Sequence, residues 1–142
     1  MIVGVTGTQN GGTLAQLASA RIVLVTLRAA GAQELHMGEC VGVDAELNAM
    51  ARELGYRTVG HPPDKDSKRA DCLVDERRSP LPYLKRDKAI TAASSVLLAL
   101  PEGYAELLRG SGTWATVRYM EKRIMPVLII WPDGMVGERR HG

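Results

Sequence analysis

Phenylalanine is absent from this sequence, and aromatic residues make up only 4% of its 142 positions. A core without Phe has to be assembled from Val, Leu, Ile, Met and Ala. A groove that stacks nucleic-acid bases on aromatic rings is equally short of material. Cysteine is nearly absent too: Cys40 and Cys72 make no disulfide framework in a chain of this length. No apolar run approaches the ~18 residues of a membrane-spanning helix. The start, MIVGVTGT, lacks the basic leader and long apolar centre of a secretion signal. Neither sign of charge dominates, since 18 Lys and Arg against 16 Asp and Glu leave a formal charge of +2. That balance does not by itself argue for a nucleic-acid partner. These absences predict a soluble cytoplasmic protein without a membrane segment.

What the sequence does have is glycine, 15 residues against a usual share of about 7%. Glycine in surplus marks positions with positive φ or close approaches of the backbone. The length fits one domain. We expect residues 1–132 to form it and the polar stretch 133–142 to be a tail that frays.

The apolar pattern alternates along the chain. Ile2–Thr6 is a β-branched run that ends in glycine, the mark of a buried strand. Thr13–Ala30 has helical spacing, although Ile22–Val25 would also suit a strand, and Gly31 is a natural stop. Gln33–His36 reads as a brief strand. Val43–Leu54 reads as a helix with Leu47, Met50, Ala51 and Leu54 on one face, and Tyr56–Gly60 as a third strand. His61–Leu81 is a long, proline-bearing, charged connection with at most one short element near Ala70–Val74. A connection of that length is usually functional or mobile. Pro82–Ser94 is a helix with Pro82 near its first turn, and Ser95–Leu100 is a fourth strand. Glu102–Ser111 is a loop with one helical turn near Ala105–Leu108. Gly112–Ile124 is a helix, and Pro126–Trp131 is the last strand.

Such alternation means a parallel sheet with helices on both faces. The expected fold is a three-layer, doubly wound α/β fold with a parallel five-stranded sheet in the order 3-2-1-4-5. Strands 1 and 4 are then neighbours whose chains leave in opposite directions. Their C-terminal ends form the crevice in which open α/β sheets bind ligands. Eleven of the 15 glycines, from Gly7 to Gly137, follow the C-terminal ends of predicted strands.

Two loops meet at that crevice. One holds Gly7, Thr8, Gln9 and Gly11; the other runs from Pro101 to Ser111, Gly112, Thr113 and Trp114. Both are small, polar and glycine-bearing, and both lead into helix N-termini, which favour anions. The alternative is that these residues only cap helices. Gly7 and Gly12 have the spacing of a P-loop, but Thr13 stands where its lysine belongs. No G-x-G-x-x-G occurs in either loop. Asp44 is placed either to cap the second helix or to bond a ribose hydroxyl. Arg86 suits a forked grip on phosphate, or is a solvated surface charge. His36, Cys40 and His61 have no standard zinc spacing and no evident fourth ligand, so neither metal nor cofactor is expected.

Five pieces in this order resemble a known group. They are T-G-T at Thr6–Thr8, H-x-G-x-x-x-G-x-D from His36 through Gly38 to Asp44, the pair Arg86–Asp87, P-x-G at Pro101–Gly103, and S-G-T-W at Ser111–Trp114. The chain resembles the SLOG superfamily over about residues 2–131. That Rossmann-like group joins the LOG-type proteins, once labelled lysine decarboxylases, with the DNA-processing protein A family and small YspA-like and YpsA-like proteins. The resemblance implies a nucleotide or nucleotide-derived ligand between the strand 1 and strand 4 loops. Dimers are common in the resembling families, which implies a homodimer or higher homo-oligomer; a Met120–Ile124 face or Leu107–Leu108 is either its contact or part of the core. LOG-type phosphoribohydrolases carry P-G-G-x-G-T-x-x-E; counted onto Gly112–Thr113, that catalytic glutamate falls at Thr116. The loop here is also longer by Glu102–Gly110, and Asp87 stands where small relatives more often have asparagine.

The expected function is therefore binding of an AMP-like or ADP-ribose-like ligand without turnover. An N-glycosidase acting on nucleoside monophosphates is the alternative, with Glu39, Asp44 or Glu102 (Glu106 beside them) supplying the acid. Single-stranded DNA binding is a third reading, which the balanced charge and scarce aromatics disfavour.

Overall fold

The computed structural model describes residues 1–65 and 67–139. The elements follow in the order β1 (Ile2–Gly7), α1 (Leu14–Ala29), β2 (Glu34–Met37), α2 (Val43–Glu53), β3 (Arg57–Gly60) and β4 (Glu76–Arg77). Then come α3 (Tyr83–Ala93), β5 (Val96–Leu100), α4 (Gly112–Lys122), β6 (Val127–Ile130) and β7 (Val136–Arg139). One sheet of seven strands runs β4-β3-β2-β1-β5-β6-β7. Every pairing is parallel except β6 with β7.

The middle five strands have the predicted order. Five is nonetheless too few, because an extra strand lies at each edge. β4 sits within the long connection and pairs Val59 with Glu76 and Gly60 with Arg77. It has no apolar period to announce it; charged side chains hold it, Arg57 to Glu76 and Arg77 to Glu39. β7 falls in the stretch expected to fray. It pairs Ile130 with Val136 back to Val127 with Arg139, and a polar strand on a sheet edge leaves no apolar run to read. Residues 140–142 of that stretch lie outside the described residues. Gly137 is inside β7, and Gly7 and Gly60 are the last residues of β1 and β3, so these glycines belong to strands rather than to the loops beyond them. Neither the element expected near Ala70–Val74 nor the helical turn near Ala105–Leu108 forms.

Alternating side chains of β5 divide the core. Val96, Leu98 and Leu100 join Val3, Val5, Leu35 and Met37 under Ala20, Leu24, Val43 and Leu47 of α1 and α2. Leu97 and Ala99 turn to the other face, with Val127, Ile129 and Trp114, Val117 and Met120 of α4. Met120 is thus core and not a contact face, whereas Ile124, Leu107 and Leu108 are exposed. Leu, Ile, Val and Met at these positions, with Trp114 on one side, fill the layers that lack Phe.

The N-terminus of α1 is closed by a capping box. The Thr13 hydroxyl accepts from Gln16 N–H, and Gln16 Oε1 accepts from Thr13 N–H. Buried Gln16 then donates through Nε2 to the carbonyls of Pro101 and Ile130, joining the ends of β5 and β6. At the start of α2, Gly42 has φ +87, and a Cβ there would stand 2.5 Å from the Thr8 carbonyl oxygen. Because the obstacle is backbone, it does not swing away. Gly42→Ala is expected to cost more than about 2 kcal/mol in urea unfolding, whereas Gly103→Ala, which faces open space, leaves stability unchanged.

Candidate functional site

β1 and β5 pair in register up to Gly7 and Leu100, and the chain then leaves them on opposite sides. A cleft of about 850 Å³ opens there. Its walls come from the loops after β1, β2 and β5 and from the first turns of α3 and α4.

The loop after β1 uses most of its amides within the chain; those of Gln9, Leu14 and Ala15 have no acceptor among the described residues. Thr8 N–H donates to the Leu100 carbonyl, and Gly11 N–H to the Thr8 carbonyl. Asn10 N–H donates to the Thr8 hydroxyl and Thr13 N–H to Gln16. Gly12 N–H donates to Glu46 Oε1 at 2.8 Å. An acidic side chain from the first turn of α2 therefore stands where a loop of this kind would hold an anion. The Val43 N–H also donates to the Thr8 carbonyl, so this loop and the start of α2 form one rigid wall.

The start of α4 is capped as α1 is, but its first residues line the cleft. Trp114 N–H donates to the Ser111 hydroxyl and Ala115 N–H to the Ser111 carbonyl. Gly112 and Thr113 are left with amides that have no acceptor among the described residues, at the positive end of an 11-residue helix. Arg109 stands on the same rim. Of the cleft's cations, Arg86 and Arg118 are paired with Asp87 and Glu106, while Arg109 has no described ion pair. The loop carrying it is anchored by Glu106, which bridges Arg118 and Arg139, by Asn10 donating to Glu102 at 2.8 Å, and by Tyr104 stacked on Trp131.

Arg86 and Asp87 lie on the cleft floor, 5% and 6% exposed. The Arg86 guanidinium is occupied from within. It donates through Nε to Asp87 at 2.8 Å, through Nη1 to the carbonyls of Gly38 and His61, and lies 3.7 Å from Cys40 Sγ. It is a strut between α3 and the ends of β2 and β3 more than a free anion grip. Burial raises the Asp87 carboxyl, which Arg86 and Thr116 draw back toward ionisation. Asp44, 7% exposed, accepts from the amides of Gly38 and Cys40 on Oδ2. The helix cap position is Gly42, so Asp44 ties down the β2–α2 loop instead. Burial raises its carboxyl to about 6, against the pull of Arg86 and the two amides.

Gly7, Thr8, Gln9, Gly38, Asp44, Arg86, Asp87, Pro101, Ser111, Gly112, Thr113 and Trp114 all line this one cleft, as does Glu102. Gly11 does not. Glu39 is also elsewhere: fully buried, with φ +54, it accepts a forked pair of bonds from Arg77 at 2.6–3.0 Å. Thr116 bonds back to the Gly112 carbonyl on the cleft wall. His36 and His61 do meet, Nδ1 to Nε2 at 2.8 Å, with His36 Nε2 on Glu34. Burial pushes His61 down to about 4 and lowers His36 as well. Cys40 faces Arg86 and not this pair. Among the described residues no three His, Cys, Asp or Glu side chains are grouped to hold a metal, and no helix is long and apolar enough to cross a membrane. Sequence reasoning missed Glu46, Gln16 and Arg109. Only Gln16 had a signal, the Thr13-x-x-Gln16 capping pattern.

Three solved structures share this architecture. The molybdenum cofactor binding protein from the phototrophic bacterium Rippkaea orientalis matches 92% of the chain at 25% identity and TM-score 0.67, over 76% of its own length. The molybdenum cofactor carrier protein MCP from Chlamydomonas reinhardtii matches 90% at 29% identity and TM-score 0.64, over 74% of its length. The protein TM1055 matches 89% at 22% identity and TM-score 0.62, over 71% of its length, a likeness of fold alone. No family model and no curated protein matches the sequence. The chain is thus a Rossmann-like α/β protein whose structural neighbours include binders of a small molecule.

Asp44 provides a test of the cleft's electrostatics. Its carboxyl moves from 3.8 to about 6 on folding. Between those values the folded chain holds a proton that the unfolded chain has lost. The resulting stability is complete below the unfolded value and lost as pH rises through 6. Asp44→Asn keeps an acceptor for the two amides and does not titrate. Relative to the parent it is expected to gain about 1 kcal/mol between about pH 5 and about pH 7.5, measured by urea unfolding at both.

Proposed function

We propose that this chain is a carrier-type binding protein that holds a phosphorylated heterocycle in the β1–β5 cleft without turning it over, and that the molybdenum cofactor is its ligand. The carrying observation is the division of labour in the cleft. Glu46 already bonds the Gly12 amide of the loop after β1, and the anion site inferred is the start of α4, where Gly112, Thr113 and Ser111 line the cleft beside Arg109. A phosphate there leaves the ring system over the floor, in a space of about 850 Å³. That volume suits a ligand of this class. The likeness to two proteins that bind or carry the molybdenum cofactor, at 25% and 29% identity, supports the choice of ligand.

The cofactor, when bound, brings its metal and a phosphorylated pterin; the chain's part is to hold the phosphate and cover the ring. Tyr83, Leu84, Tyr104, Leu107 and Leu108 line the cleft, and the last four are exposed for that purpose. The LOG-type glutamate is replaced by Thr116, and Glu39 is locked on Arg77; of the carboxylates that do line the cleft, Asp44 is held by the Gly38 and Cys40 amides and Glu102 by Asn10. A nucleotide such as AMP or ADP-ribose is the second reading, favoured by the SLOG-like order of T-G-T, Arg86–Asp87 and S-G-T-W.

Mixing the protein anaerobically with the cofactor released from a molybdoenzyme, followed by gel filtration, is expected to carry molybdenum and pterin fluorescence in the protein peak. Arg109→Ala should weaken retention about tenfold, the usual effect of one lost charge-assisted contact. Retention of AMP but not of the cofactor would select the nucleotide reading. Release of free base from AMP would overturn the claim that there is no turnover.

A further inference from the structure

The floor of the cleft has a charge pattern opposite to its rim. Two carboxylates, Asp44 and Asp87, share the floor with one guanidinium, Arg86. Asp87 Oδ1 accepts from Arg86 Nε. Asp44 is only half used. Its Oδ2 accepts two amide protons, from Gly38 at 3.1 Å and Cys40 at 3.2 Å, which fills the lone pairs of that oxygen. Its Oδ1 accepts no hydrogen bond among the described residues, although the side chain is more than nine-tenths buried and lines the cleft. Oδ1 is therefore open to the cleft, where a bound ligand displaces water from it, and a ligand that then leaves it without a donor bears the cost of the lost hydration. N–H or O–H donors satisfy it, a ring edge with two N–H groups among them, while phosphate is repelled.

We propose that Asp44 is a specificity-determining residue that reads the N–H edge of the ligand's ring through Oδ1. The ligand class is thereby narrowed to phosphates bearing a 2-amino-4-oxopyrimidine edge, as in pterin and guanine, and adenine is rejected. This inference rests on the binding reading of the cleft and fixes the ligand's direction in it, with phosphate at Gly112 and Thr113 and the ring's amino edge on the floor. The edge of pterin or guanine presents a ring N–H beside an exocyclic amino group, two donors on one side. Adenine presents an unprotonated ring nitrogen beside its amino group, and that nitrogen's lone pair would face the Asp44 oxygen. Sites built to bond a donor discriminate strongly against analogues lacking it, because the buried partner is left unsatisfied.

The test is calorimetric titration with neopterin monophosphate, GMP and AMP. The unmodified protein should bind the first two at least tenfold more tightly than AMP. Asp44→Asn should lose that preference, because an amide nitrogen in the place of Oδ1 repels the donors of pterin and guanine and bonds the adenine ring nitrogen, so that AMP binds more tightly than to the unmodified protein. The preference in the unmodified protein is a measurement that needs no variant, and thermal unfolding shows whether Asp44→Asn is folded. Equal binding of all three would overturn the role of Asp44 and leave the phosphate end of the cleft intact. A preference that survives in folded Asp44→Asn would assign the discrimination to another group and overturn it equally. Binding of none of the three, with the molybdenum cofactor retained on gel filtration, would overturn this inference while the binding function stands.

Discussion

The Arg86 guanidinium, 5% exposed, is the contact on which the ligand edge of the sheet depends. From the first turns of α3 it reaches the carbonyls of Gly38 and His61, which follow β2 and β3, and it pairs with Asp87 beside it. Its approach requires that residue 38 carry no side chain, since a Cβ there would collide with the guanidinium. A buried charge of this kind is tolerable only with every donor occupied, and removing one partner of such a pair typically costs about 3–5 kcal/mol. Two strand ends, one helix start and the Asp44 loop are thereby held in one arrangement. The cleft floor is consequently formed before any ligand arrives.

The same economy explains how anions are treated. Glu46 and Asp44, both in the first turn of α2, satisfy amides of the two neighbouring loops from within, at Gly12 and at Gly38 and Cys40. Helix starts and glycine loops attract negative charge, and here the chain supplies its own. The start of α4 has a serine cap and, among the described residues, no carboxylate bonded to its first amides. Two carboxylates on a single helix thus occupy amides on the β1 and β2 side of the cleft only.

Much of this was legible in the chain itself. Continuous apolar runs marked β1 and β5, which are buried on both faces, and apolar spacing with glycine or proline punctuation marked β2, β3, β6 and the four helices. β4 and β7 were not legible, since Glu76–Arg77 and Val136–Arg139 are held by edge pairing and ion pairs, with no period to read. The crevice residues followed from topology, because ligand-edge loops are known once strand order is known. What the side chains do there did not follow. Whether Arg86 points at a ligand or at two backbone carbonyls and the carboxylate beside it depends on distances of a few ångströms that spacing along a chain does not encode. Glu39 and Gly11 were misdirected for the same reason: both sit in the right loops and face away from the cleft.

The two walls of the cleft differ in how they are built. The β1 wall is stitched by backbone to α2 through Thr8, Val43 and Gly42, and almost any change there disturbs the packing beneath. The Pro101–Ser111 wall stands on a few side-chain clasps, chiefly Glu106 with Arg118 and Arg139. Residues between those clasps, including Leu107, Leu108 and Arg109, touch little of the core. Over generations such a scaffold is free to rewrite a single loop at the mouth of the cleft, while the sheet, the floor and the folding of the chain are inherited unchanged.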